Sequence, residues 1–254
     1  MYEVKMDYYC DKSARLGADT SIGFNSFIGK DVEIGSGCRI GIGVVIHEGT
    51  KIGSCVRIDD NTVLGKYPMK AATSATTKDQ ELPPLVISDN CILGTSVVVY
   101  RGARIGKKVL IADLASVREN VEIGDFTIIG RGVTVENFCK IGNYCKLETN
   151  VYITAYSEVE DRVFVAPCVA TSNDNFIGRT EERFKHFKGV TIKKGGRVGV
   201  GAVILPGKVV GEDALIAAGA VLTHDAEARQ IHAGVPAKKF RAVPIEQLLE
   251  NQNW

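Results

Sequence analysis

Nothing in this 254-residue sequence is both long and apolar. The longest hydrophobic runs, such as Thr95–Tyr100, are strand-sized, far short of the roughly 20 residues a membrane-spanning helix needs. An excess of one charge is missing too. The 31 basic and 30 acidic residues leave a net charge of +1, so the chain carries no electrostatic footprint of a nucleic-acid binder. Paired cysteines are absent: there are seven, with no CxxC spacing, which fits reduced thiols in a cytoplasmic protein. The opening residues lack the charged-then-apolar pattern of a signal peptide. Histidine is scarce, and the four at 47, 186, 224 and 232 lack the paired spacing of zinc ligands; no metal is called for. Proline is rare at seven. What abounds is glycine. The 27 glycines follow no Gly-X-Y period, which excludes collagen and points to many tight turns.

A second regularity gives those turns a place. An aliphatic residue recurs every six positions from Leu16 through Ile22, Ile28 and Ile34 to Leu64. The register resumes from Ile87 to Val165, and again from Ile192 to Leu222, often with glycine immediately after. A period of six matches neither an amphipathic helix nor plain strand alternation. It matches a short strand, a turn and another strand, three of which close a triangular coil of about 18 residues. The residue four places after each aliphatic must then be small, as Thr20, Ser26, Cys38, Thr127, Cys139 and Cys145 are. About ten such layers at a strand spacing of roughly 4.8 Å make a prism. The expected fold is all-β, a parallel β-helix.

The register breaks twice, at about 66–85 and about 172–189, and insertions in solenoids cluster on binding faces. The second break mixes aromatics with basic groups and His186, suited to gripping a ligand or a neighbouring subunit. The helix is expected to fill 1–243, with residues 1–10 capping one end. A short capping helix over 244–254 is expected from the spacing of Ile245, Leu248 and Leu249.

These repeats resemble those of the hexapeptide-repeat acyltransferases. The resemblance implies a left-handed coil, an acyl-CoA co-substrate and no tightly bound cofactor. The stretches 198–207, 216–221 and 234–241 look like that family's acyl-CoA segment. The residues make their own case. Gly199, Gly201, Ala202, Ala217 and Gly219 would leave a flat surface for an extended pantetheine arm, and Lys238 and Lys239 would supply charge for CoA phosphates.

The segment 164–174 is similar to one in nucleotide-linked amino-sugar N-acetyltransferases, where an Asn lies near the sugar amine; Asn173 is the matching position. Upstream, Glu148 stands where such enzymes often carry an amide, and Asp113 falls where relatives commonly carry histidine. Acyl transfer to an amine needs a neutral nucleophile and a group to take its proton. Glu148, Asp113 and Asn173 are the catalytic candidates, and Glu119, Asp174, Arg179 and His186 the substrate-binding ones. By count, Asp113 and Glu119 occupy neighbouring sides of one coil, with Glu148 two coils on from Asp113. The expected activity is acetyl transfer to the amine of a nucleotide-linked amino sugar. O-acetylation of a small hydroxyl compound and a non-catalytic scaffold are the alternatives. A lone prism offers only convex faces, so sites between subunits are expected; the resemblance implies a homotrimer.

Overall fold

The computed structural model describes residues 7–77 and 79–252. Nearly every strand is two residues long, and each pairs in parallel with the strand one coil further on: Arg15 with Glu33, Leu16 with Ile34. Three sheets of 11, 10 and 12 strands result. Face A runs from Tyr9–Cys10 to Val221–Leu222, face B from Arg15–Leu16 to Val209–Val210, and face C starts at Ser21–Ile22. The six-residue register is the reason. Its aliphatic member is the second residue of each strand and points inward, where Ile28, Ile46, Leu64, Val99, Ile129 and Ile153 are fully buried on one another. Leu16, in the first coil of face B, remains 39% exposed, because nothing among the described residues stacks beneath it.

The corners carry the cost of the coil. Each turns through a left-handed residue three places after the aliphatic, and many of these are not glycine: Leu114 (φ 62°), Phe126 (φ 58°) and Tyr144 (φ 56°) among them. A left-handed bulky residue costs about 1–2 kcal/mol and persists only where its surroundings over-determine it. Here the ladders on both sides do so. The small slot one residue later is filled in some coils by Val or Ala, such as Val44, Val97 and Ala115, and in others by a donor that bonds across to the next coil. Ser26 Oγ donates to Gly41 O (3.0 Å) and Thr127 Oγ1 to Gly142 O (2.8 Å). Cys38, Cys91, Cys139 and Cys145 place their thiols on the same carbonyl of the next coil, at 3.0–3.2 Å. Burial pushes the Cys139 thiol up to about 12 and the Cys145 thiol up to about 11, so neither is a nucleophile at neutral pH.

Two segments leave the coil. One follows Val63–Lys66 and returns at Val86–Ile87; the other follows Ala170–Thr171, holds a 3₁₀ turn at Glu181–Lys185 and returns at Thr191–Ile192. Both leave face A and re-enter on face B, so both project from the same edge of the prism.

The carboxyl end differs from the simple expectation. Face C closes with Gln230–Ala233, against which Lys238–Ala242 folds back antiparallel. The capping helix is two consecutive 3₁₀ turns, Ile245–Gln247 and Leu249–Asn251, separated by an extended Leu248. Leu248 turns inward onto Ile231 and Val243, and that inward turn interrupts a continuous helix. At the other end Tyr9–Cys10 is already a strand of face A; residues 1–6 of the expected cap lie outside the described residues.

Candidate active site

The prism has three edges, and the nominated polar residues concentrate on two of them. The A–B edge, from which both loops leave, reads coil by coil Tyr100-Arg101, Arg118-Glu119, Glu136-Asn137, Thr154-Ala155 and Ser172-Asn173. Its centre is a polar cluster. Glu119 is 2% exposed and takes two bonds from Arg118, Nε to Oε2 at 2.9 Å and Nη2 to Oε1 at 3.2 Å. Asn137, with no exposed surface, donates its Nδ2 to Glu119 Oε1 (3.2 Å) and to Thr76 O (3.1 Å). Arg118 Nη2 also donates to Thr77 Oγ1 (3.1 Å). Thr76 and Thr77 belong to the first loop, so the cluster pins that loop over the edge. The Arg118 guanidinium stacks on Tyr100, 4.9 Å from the ring centre, and its Nη1 lies 3.5 Å from Glu136. Burial raises the Glu136 carboxyl above the usual range; Arg118 opposes this and Glu119 adds to it.

The C–A edge is a rail of small residues. Gly94, Ala112, Gly130, Ala166, Gly199 and Ala217 take the first corner position in successive coils, and Glu148 alone interrupts them. The coils press together here: a side chain on Gly130 would put its Cβ 2.7 Å from Leu147 O. Glu148 is half-buried between Gly130 and Ala166.

The nominated residues fall on both edges. Glu119 and Asn173 share the A–B edge, two coils beyond Glu119's neighbour Asn137. Asp113 and Glu148 lie on the C–A edge, across face A from them. Asp113 has a structural duty: its Oδ1 accepts the Thr95 N–H at 2.8 Å. Asp60, Asp89 and Asp125 do the same for Ile42, Ser54 and Lys107. Asp174 organises the second loop, accepting the N–H groups of Phe176 and Gly178 and pairing with Arg183 at 3.0 Å. Arg179 is exposed, and His186, also exposed, pairs with Glu182 at 3.0 Å. Of the residues nominated for the acyl-CoA arm, Gly201 and Gly219 are left-handed and open to solvent, and Gly199 and Ala217 follow face C directly. Ala202 is buried completely and shapes the corner from inside, where no ligand reaches. Lys238 is exposed, and Lys239 pairs with Glu227 at 2.7 Å. Glu136 and Asn137 escaped the sequence reading, although stacking the sequence in coils of 18 sets them beside Glu119.

A shallow trough of about 680 Å³ lies elsewhere, on face B. Arg104, Glu122, Lys140 and Glu158 alternate in charge along it. It offers a ligand no convergent set of groups, and the buried cluster on the A–B edge is the better candidate. Among the described residues no group of three or more His, Cys, Asp or Glu could hold a metal ion, and no helix is long and apolar enough to cross a membrane.

Buried His232, at the donor end, gives a pH test. Its Nε2 accepts the Glu227 N–H at 3.2 Å, and burial lowers its pKa below 6.5, with Glu227 opposing. A lowered folded-state pKa means stability that is complete above pH 6.5 and is lost as pH falls through the folded value. The melting temperature should therefore drop between pH 7 and pH 5, and drop less in His232→Gln, whose amide oxygen can accept the same bond. Equal slopes in both proteins would remove His232 from the account.

The architecture is that of a hexapeptide-repeat β-solenoid. Residues 102–137 match the family described as bacterial transferase hexapeptide (six repeats), and 84–112 and 189–224 match the hexapeptide repeat of succinyl-transferase. Over those residues the chain is similar to the hexapeptide-repeat transferases. A Schizosaccharomyces pombe protein named as an acetyltransferase is 41% identical over 49 residues, 19% of this chain and 24% of that protein. The chain thus matches about a quarter of that curated relative's length. Among solved structures, PerB from Caulobacter crescentus, in complex with CoA and GDP-perosamine, is 25% identical, with 57% of this chain and 54% of that one covered and a TM-score of 0.38. LpxA from Moraxella catarrhalis, a UDP-N-acetylglucosamine O-acyltransferase, is 21% identical, with 97% and 76% covered and a TM-score of 0.47.

Proposed function

We propose that the chain is an acyl-CoA-dependent N-acyltransferase that moves an acetyl group to the amine of a nucleotide-linked amino sugar, acting as a homotrimer of left-handed coils. The observation that carries this reading is the division of labour between two edges. The small residues Gly199, Gly201, Ala217 and Gly219 keep the C–A edge, where an extended pantetheine arm can lie, clear of large side chains. The carboxylates and amides that suit a polar acceptor, Glu119, Asn137 and Asn173, line the A–B edge. Donor and acceptor edges on one prism are separated by a whole face. A site that joins them needs two chains side by side, the C–A edge of one against the A–B edge of the next.

In that arrangement Glu148, the one carboxylate on the donor rail, sits where the acyl end of the arm would meet the acceptor. Asp113 supports a corner of the same edge two coils away. Acetyl-CoA should raise the melting temperature by an amount that grows with its concentration, because a ligand of the native state stabilises by mass action. Light scattering should give three copies of the 27.4 kDa chain. An active monomer, or no shift at millimolar acetyl-CoA, would overturn the reading.

A further inference from the structure

We propose that Glu136 is the residue that receives the acceptor amine and takes its proton, making the A–B edge selective for a primary amine over a hydroxyl. This assignment rests on the acyltransferase reading above.

Arg101, one coil before Arg118, bonds to Glu48 O at 2.8 Å and Leu82 O at 3.4 Å. Among the described residues of this edge one guanidinium, Arg118, reaches two carboxylates. Glu119 absorbs most of it, with two bonds from Arg118 and a third from Asn137. Glu136 touches Arg118 only through Nη1 at 3.5 Å, and its side chain keeps 21% of its surface exposed. It is the less tied of the two carboxylates, and the reachable one.

A second group beside it points to the same ligand. Asn137 is wholly buried, and both partners of its Nδ2, Glu119 Oε1 and Thr76 O, can only accept. That fixes the amide's orientation. Its Oδ1 then has no donor among the described residues. Buried polar atoms are almost always paired. An unpartnered acceptor in the same cluster as a carboxylate that must share its guanidinium with Glu119 suits a ligand rich in N–H donors and carrying positive charge. An ammonium group has three donors and the charge; a hydroxyl has one donor and none. The other titratable groups facing Glu136 are Glu119, Tyr152 and Cys139. Burial and Glu136 itself raise the Tyr152 hydroxyl, and burial raises the Cys139 thiol, so both stay neutral and neither competes for the amine.

The step balances. An ammonium bound at Glu136 loses one proton to solvent through that carboxylate. The neutral amine's lone pair then attacks the thioester carbonyl carbon and forms the C–N bond, and the nitrogen's surplus proton passes to Glu136. Collapse of the tetrahedral adduct breaks the C–S bond, and the departing thiolate takes that proton as the CoA thiol. An amide and free CoA remain.

The test compares wild type, Glu136→Gln and Glu136→Asp, with acetyl-CoA and a panel of nucleotide-linked amino sugars and their hydroxyl counterparts. Product is read by mass spectrometry and acetyl-CoA binding by thermal shift. Glu136→Gln should lose about 10²-fold in kcat/KM for the amine, and the limb of the pH profile belonging to Glu136 should vanish while that of the amine itself remains. Glu136→Asp should recover part of the rate, and acetyl-CoA binding should be unchanged in both. Wild-type kinetics in Glu136→Gln with normal acetyl-CoA binding would overturn the assignment alone, as would equal turnover of hydroxyl and amine by the wild type. Failure of wild type to bind acetyl-CoA would overturn the acyltransferase reading and the assignment with it. Should Glu136→Gln not fold, an unshifted pH profile in Glu136→Asp overturns the assignment and a shifted one supports it.

Discussion

Glu119→Ala should cost the protein about 3–5 kcal/mol, the range for breaking a buried ion pair by removing one partner. The substitution strands two groups together. Arg118 loses both bonds from its Nε and Nη2 to the carboxylate, keeping Thr77 and the longer approach to Glu136. Asn137 loses one of the two acceptors of its Nδ2, in a site without solvent. For a chain of this size about 2–4 °C is lost per kcal/mol, so the melting temperature should fall by roughly 10 °C. Glu119→Gln retains an acceptor and the shape, and should cost clearly less. The double change Arg118→Met with Glu119→Leu should recover only part of the loss: it removes the stranded guanidinium, but Asn137 Nδ2 still lacks its acceptor and Glu136 loses its partner. The first loop supplies a local readout. Thr76 and Thr77 are held down by Asn137 and Arg118, so limited proteolysis should cut between 67 and 85 faster in Glu119→Ala than in Glu119→Gln. Calorimetry showing Glu119→Ala as stable as wild type would mean that the cluster does not hold this edge.

The fold was legible in the sequence because the solenoid repeats one local rule about thirty times. An inward aliphatic every six residues determines strand, face and core together, and an error at one coil does not propagate. The site was less legible, for a geometric reason. Which edge a polar residue occupies depends on its place within the coil, and each loop moves the count. Val63 pairs with Val98, 35 positions on, where an uninterrupted coil gives 18, as from Val98 to Ser116. Reading along the chain sets Asp113 and Glu119 on neighbouring sides of one coil and Glu148 two coils on, but does not say which edge each shares. Reading every eighteenth residue instead places Arg118 over Glu136, and Glu119 over Asn137, on an edge that Asp113 does not share. Partnering was invisible as well. Asp113 and Glu136 are both carboxylates near a strand end, yet one accepts a backbone N–H of the coil below and the other shares a guanidinium already engaged. Only side-chain positions separate the two cases.

Gly94→Val should be strongly damaging to the C–A edge, and its comparison with Asp113 decides what that carboxylate does. A Cβ on Gly94 would lie 2.3 Å from Asp113 Oδ1 and 2.7 Å from Asp113 N. The side chain can swing aside, but the backbone nitrogen belongs to the next coil and is held by its own ladder. Forcing two coils apart at one corner breaks neighbouring backbone bonds, including Gly94 N–H to Ile111 O at 2.8 Å. The overpacking alone costs about 1–3 kcal/mol, and each broken bond adds about 1 kcal/mol. A total near 4 kcal/mol should lower the melting temperature by roughly 8–16 °C. Asp113→Asn should behave in the opposite way. Asn143 already fills the equivalent role at another corner, where its Oδ1 accepts the Asp125 N–H at 2.8 Å. An amide therefore serves as well as a carboxylate at this kind of corner. Asp113→Asn should keep both stability and turnover, whereas Asp113→Ala should lose about 1 kcal/mol, the net worth of one hydrogen bond, with kcat intact. A hundredfold fall in kcat for Asp113→Asn, at an unchanged melting temperature, would return Asp113 to the chemistry and show that its bond to Thr95 is incidental.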